Sequence, residues 1–225
     1  MILSQTRAAG AALLVAVTVA ACGSTNRTAV RTSPQSATAS QSDAAFIAKA
    51  RADSARYPYT TADIHFMTGM IGHHAQAIVM SKMAPTHGAS QSIRTLAERI
   101  INAQQDEIAT MQNWLRDRGQ PVPPAVPGPM KMQMGGMEHE MLMPGMLTDE
   151  QMKQLDQARG PAFDRLFLRF MIQHHTGATQ MVKELFATNG AAQDELVFKF
   201  ASDVNVDQST EIARMEKMLA ALPPA

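Results

Sequence analysis

Phe66, Met70, His73, Ala77 and Met80 recur at steps of four and three, the spacing of one stripe on an α-helix. Met67, Ile71, His74 and Ile78 form the adjoining stripe. Ile100, Gln104, Glu107, Met111 and Trp114 show the same period in the next segment, and Val204, Gln208, Glu211, Met215 and Met218 show it near the end of the chain. Strand signals are absent, so the pattern predicts an all-α fold. Ala44 to Ala52 is a candidate leading helix. Thr148 to Ala158, with Thr148 placed to cap it, is a candidate helix before the last third. Turn signals fall at Ala84–Ala89 and Thr188–Ala191.

The pattern is written twice. Asp63 to Met80 aligns without a gap on Asp164 to Met181. Phe66 matches Phe167, Met70-Ile71 match Met171-Ile172, His73-His74 match His174-His175, and Met80 matches Met181. Further on, Gln104, Glu107, Ile108, Met111 and Leu115 correspond to Gln208, Glu211, Ile212, Met215 and Leu219. Two helical hairpins related by duplication, each burying one apolar face, make a four-helix bundle. The expected domain spans residues 44–222, with one repeat over 60–118, a Pro- and Met-rich loop over 119–147, and the second repeat over 148–222.

Several polar residues lie on the apolar stripes. A buried imidazole or carboxylate is costly without a partner, so His73, His74, Glu107, His174, His175 and Glu211 need an explanation. One is a satisfied core network, histidine to glutamate across the bundle. The other is a metal site, with Met70 and Met171 each one turn before a histidine on the same face. Met67 and Met80 lie a heptad away and read as core. His65 faces Leu166 in the repeat and is either an extra ligand or a surface residue. His87, in a turn, is expected to face solvent.

Between the repeats, Pro121 to Pro129 breaks helix, and the next seventeen residues hold seven methionines: Met130, Met132, Met134, Met137, Met141, Met143 and Met146, with His139 among them. Glycines and prolines there prevent a regular helix, and flexible loops do not normally expose so many apolar side chains. Thioethers are soft, neutral donors that suit Cu(I). The segment therefore reads as a copper-collecting loop, with a low-complexity insertion as the alternative.

The ends and the charge complete the picture. Arg7 and the short apolar run Ala8 to Ala20 look like an export signal over residues 1–21, too short to span a bilayer. Val19-Ala20-Ala21-Cys22 is similar to a bacterial lipobox, which makes Cys22, the one cysteine, a lipidation site. Residues 22–43 are a Ser-, Thr-, Ala- and Gln-rich tether. With that thiol used, a soft metal site must be built from Met and His. Twenty basic and twenty acidic residues leave no global field to attract nucleic acid.

The doubled Phe-x-x-x-Met-Ile-x-His-His-x-x-Ala pattern, followed by Gln-x-x-Glu-Ile-x-x-Met, resembles the domain of unknown function 305 family over about Ala44 to Leu222. That resemblance implies a ferritin-like helical bundle, commonly exported, with relatives that bind copper outside the cytoplasm. It carries over Met70, His73, His74, Met171, His174 and His175 as matching positions, and it implies binding rather than an enzymatic activity. The leading expectation is a lipid-anchored, extracytoplasmic copper-binding protein, with Cu(I) preferred and Cu(II) also accessible to the imidazoles. The alternatives are a di-iron or di-manganese ferritin-like oxidase, although no Glu-x-x-His occurs to supply its ligands, and a metal-free structural bundle.

Overall fold

A computed structural model describes residues 58–134 and 137–223. The leader, Cys22, the tether and the helix anticipated over 44–52 lie outside the described residues. Five helices occur among them: α1 (Thr61–Met83), α2 (Gln91–Asp117), α3 (Asp149–Gln157), α4 (Gly160–Ala187) and α5 (Glu195–Ala220). α1 packs along α2, α4 packs along α5, and α1 and α4 join the two hairpins.

The local chemistry accounts for where the helices start. Thr60 caps α1 by accepting from Asp63 N, and the Asp63 carboxylate answers by accepting from Thr60 N. Thr148 and Gln151 form the same box at α3, as the sequence predicts. Asp194 caps α5 and also accepts from Trp114 Nε1 and pairs with Arg118, tying the end of α2 to the start of α5. Two fully buried aspartates hold turns on the opposite hairpin. Asp63 accepts from Ala192 N at 2.7 Å, and Asp164 accepts from Ser90 N at 3.1 Å. Each carboxylate thus has the hydrogen bonds its burial demands.

The core divides into two apolar clusters. One joins Phe66, Met67 and Met70 to Trp114, Leu185 and Phe200. The other joins Ala77 and Met80 to Leu96, Ile100, Phe167 and Met171. The first half of α1 meets the second half of α4, and vice versa, so the two helices run antiparallel. α1 buries residues on nearly every side, as befits the central element of a helical assembly.

The connecting segment departs from the expectation of a loop. Met130–Met134 (β1) and Met137–Met141 (β2) pair as an antiparallel ribbon, Met132 opposite His139. The side chains of Met132, Met134, Met137 and His139 lie outside the described residues. Beyond β2 the chain enters the protein: Met143, Met146 and Leu147 are buried. Gln76 holds both sides of this run, donating Nε2–H to Leu147 O at 2.9 Å and accepting from Leu147 N at 2.7 Å. The Pro144–Gly145 backbone crosses α4 at Gly177, where any Cβ would collide with the Pro144 carbonyl.

Gly177→Ala is therefore expected to destabilise the fold by about 1–3 kcal/mol, the usual cost of overpacking. Gly128→Ala, where nothing lies within 4 Å of the added carbon, should stay within about 0.5 kcal/mol of the parent. Urea denaturation of the two variants checks this; equal midpoints would show that the crossing is not packed as described.

Candidate metal centre

Between the two apolar clusters lies a polar layer to which all four long helices contribute. His73 and His74 interrupt the core of α1 between Ile71 and Ala77, and His174 and His175 interrupt α4 between Met171 and Ala178. Gln104 and Glu107 of α2, and Gln208 and Glu211 of α5, complete it. The four histidines and two glutamines are buried; Glu107 and Glu211 keep 22% and 20% of their side chains exposed. Met70 lies in one apolar cluster and Met171 in the other, both fully buried. A thioether therefore flanks the layer on each side.

Each imidazole is held through Nε2. His74 Nε2 meets Glu107 Oε2 at 2.7 Å, and His175 Nε2 meets Glu211 Oε2 at 2.8 Å. His73 Nε2 lies 3.0 Å from Pro144 O, and His174 Nε2 lies 3.0 Å from His73 O. Carbonyl and carboxylate oxygens only accept, so in every case Nε2 carries the hydrogen. In a neutral ring the lone pair then sits on Nδ1. All four Nδ1 atoms are buried and lack a hydrogen-bond partner. The rings of His73 and His174 face each other across the α1–α4 contact, their centroids 3.8 Å apart.

Protonation would not rescue the nitrogens of His73 and His174. Burial first, and then the neighbouring His74, hold the His73 ring from its ordinary 6.5 down to about 3, against the raising effect of the Pro144 carbonyl. Burial, followed by His73 and His175, pushes His174 well below its ordinary value too.

This arrangement suits a soft cation. Metal-bound histidines almost always donate their other ring N–H to a carboxylate or a backbone carbonyl, which fixes tautomer and orientation. Here that outer arrangement is complete on all four rings, and the inner nitrogens are bare. Among the described residues, no three His, Cys, Asp or Glu side chains converge to hold a metal ion. A centre in this layer therefore needs donors beside the imidazoles, and Met70 and Met171 each stand one turn before a histidine of the layer. The carboxylates of Glu107 and Glu211 face Nε2, on the far side of each ring from Nδ1.

The histidine–glutamate stripes of the sequence thus meet in one layer, and Met67 and Met80 are core as expected. His65 is exposed. His87 is not solvent-facing, contrary to expectation: it is buried, with Nε2 2.9 Å from Asp156 O and its ring 5.1 Å from that of Phe163. The α3–α4 junction covers it. Gln76 and the Pro144 carbonyl, which steady the layer, were not anticipated. One signal was present: Gly69 and Gly72 of the first repeat stand opposite Phe170 and Gln173 of the second, and those glycines are where Met143 and the 126–128 backbone approach α1.

The fold and the layer define a mostly helical protein with a layer of buried imidazoles. The chain belongs to the DUF305 family, whose model, described as a domain of unknown function, matches residues 63–219. It is similar to the solved structure of a DUF305 fragment from Deinococcus radiodurans, at 28% identity over 73% of this chain and 99% of that one, TM-score 0.61. A DUF305 protein from Streptomyces coelicolor, described as secreted, is 30% identical over 71% of this chain and 92% of that one, TM-score 0.58. CopM in its Cu(I)-bound form is 28% identical over 72% of this chain and 96% of that one, TM-score 0.53. CopM has also been solved with Cu(II) and with Ag. No functionally curated relative matches the chain. No helix among the described residues is long and apolar enough to cross a membrane.

Acid should destabilise the protein through His73 and His174. The unfolded chain takes up a proton near pH 6.5, whereas folded His73 resists until about 3. Stability from this group is therefore full above pH 6.5 and falls by about 1.4 kcal/mol per pH unit below it. His174 acts with the same sign. Urea midpoints at pH 7, 6 and 5 should drop progressively, and a flat series would contradict the burial of neutral His73 and His174.

Proposed function

We propose that this protein is an exported, lipid-anchored copper-binding protein that sequesters copper or hands it on at the cell surface. The observation that carries the reading is the set of four buried Nδ1 atoms, each left bare by an Nε2–H that is already engaged. The ligands are His73, His74, His174 and His175, no more than two of them on any one ion, with the thioethers of Met70 and Met171. Glu107 and Glu211 orient His74 and His175 from behind. Met130, Met132, Met134, Met137, Met141, Met143 and Met146, with His139, gather Cu(I) from outside.

Three things support copper over other metals. Thioethers and neutral imidazoles are soft or borderline donors that bind copper well and magnesium or calcium poorly. The one cysteine stands in the lipobox, so thiolates do not compete. CopM, at 28% identity, was solved with Cu(I). The leader and Cys22 support export and anchoring, and the likeness to a relative described as secreted agrees. The repeated motif and the paired contacts of Asp63 and Asp164 support a four-helix bundle made from one duplicated hairpin.

The oxidase alternative needs a cluster of carboxylates, and both glutamates of the layer are engaged by histidine. The metal-free alternative uses the same hydrogen bonds as a core network but leaves the four Nδ1 atoms unexplained.

Competition against a Cu(I) chelator should give the full chain a dissociation constant well below millimolar. Replacing His74 and His175 by Ala should abolish the strongest uptake. Glu107→Gln with Glu211→Gln should weaken it by roughly 10–100-fold, the usual effect of losing an outer partner of a metal-bound histidine. If copper neither binds nor raises the melting temperature of the parent, the bundle is structural and the reading fails.

A further inference from the structure

Three methionines from outside α1 pack against it at Gly69. A carbon added at Gly69 would lie 2.9 Å from Met143 Sδ, 3.2 Å from Met130 Sδ and 3.6 Å from Met181 Cε. Three thioether side chains, from β1, from the run after β2 and from α4, thus meet over one glycine. They line a cleft of about 690 Å³ together with His65, Met141 and Glu184. Met143 is buried, Met130 and Met181 are half-buried, and Met141 and His65 are exposed. The cleft is therefore open to solvent, with four methionines among the residues that line it.

We infer that this cleft is a second metal site, which takes a monovalent soft cation, Cu(I) or Ag(I), on Met130, Met143 and Met181, with His65 as a further ligand at its mouth. A core role alone would call for side chains sealed from water, whereas this cleft leaves Met130, Met141 and Met181 partly open to solvent. Thioethers are neutral and soft, so three of them bind a monovalent soft ion and give little to hard divalent ions. Glu184 at the rim adds a negative charge where a cation would enter. The site belongs to the first repeat only. Phe170 stands where Gly69 would be in the second repeat, and its ring would occupy the equivalent notch. The connecting segment is then not a free collector throughout, since Met130 and Met143 are docked against the helices that carry the histidine layer. Pro144, next to Met143, accepts from His73, so the two sites adjoin through a single residue.

The inference rests on the soft-metal reading but names a separate site, and the two fail differently. The test is Ag(I) titration of the full chain carrying ¹³C-labelled methionine methyls, followed by isothermal calorimetry of the parent, of Met143→Leu with Met181→Leu, and of His74→Ala with His175→Ala. Leucine for methionine keeps volume and is well tolerated in packed sites. The expected result is that Ag(I) shifts the methyls of Met130, Met143 and Met181 together, and that the leucine variant loses one Ag(I) equivalent per chain which the histidine variant retains. Methyls that stay in place, or a leucine variant with the parent's stoichiometry, would overturn the cleft site and leave the imidazole site standing. A parent that takes up no Ag(I) would overturn both.

Discussion

The described helices are arranged around a hydrogen bond made four times: a buried imidazole gives its Nε2–H to an oxygen that can only accept. Two of those oxygens are carboxylates from the outer helices, and two are backbone carbonyls. An unpaired buried ring nitrogen costs free energy, and here the deficit falls on the same atom of every ring. The apolar clusters above and below bury the layer and keep His73 and His174 neutral. The capped and aspartate-tied turns keep the helices in the register that brings the rings to one level.

The connecting segment is part of that arrangement. Its C-terminal run, from Met143 to Leu147, is gripped by Gln76 and Gln173 and seated on Gly177, and it lends the Pro144 carbonyl to His73. A residue far from the repeat motif therefore orients a ring of the layer. The ribbon that precedes it continues from this fixed base, which sets methionine-rich chain beside the layer. Capture and retention of a cation would then be neighbouring events in one structure.

Much of this was legible in the sequence. The step of four and three over Phe66 to Met80 and its echo over Phe167 to Met181 marked α1 and α4, and Thr148 marked the start of α3. The His-His pairs and the glutamates on apolar stripes marked the layer, because ionisable groups at core positions are conspicuous against a helical period. What escaped notice depends on contacts between residues distant in the chain. Gln76 and Leu147 are 71 positions apart, and nothing local to either announces the other. His87 lies in a turn and looked exposed, yet α3 and Phe163 cover it. The ribbon had a local signal that glycine and proline content obscured: Met130, Met132 and Met134 alternate with polar residues, which is strand spacing, and Gly135-Gly136 between the two runs is a hairpin sequence.

The most direct test of the account is the ¹⁵N spectrum of the histidine rings, recorded through their carbon-bound protons before and after Ag(I) is added. The account predicts that His73, His74, His174 and His175 carry the proton on Nε2 in the metal-free chain, and that Ag(I) moves their unprotonated Nδ1 resonances. Rings protonated on Nδ1, or Nδ1 resonances that stay fixed under saturating Ag(I), would contradict it.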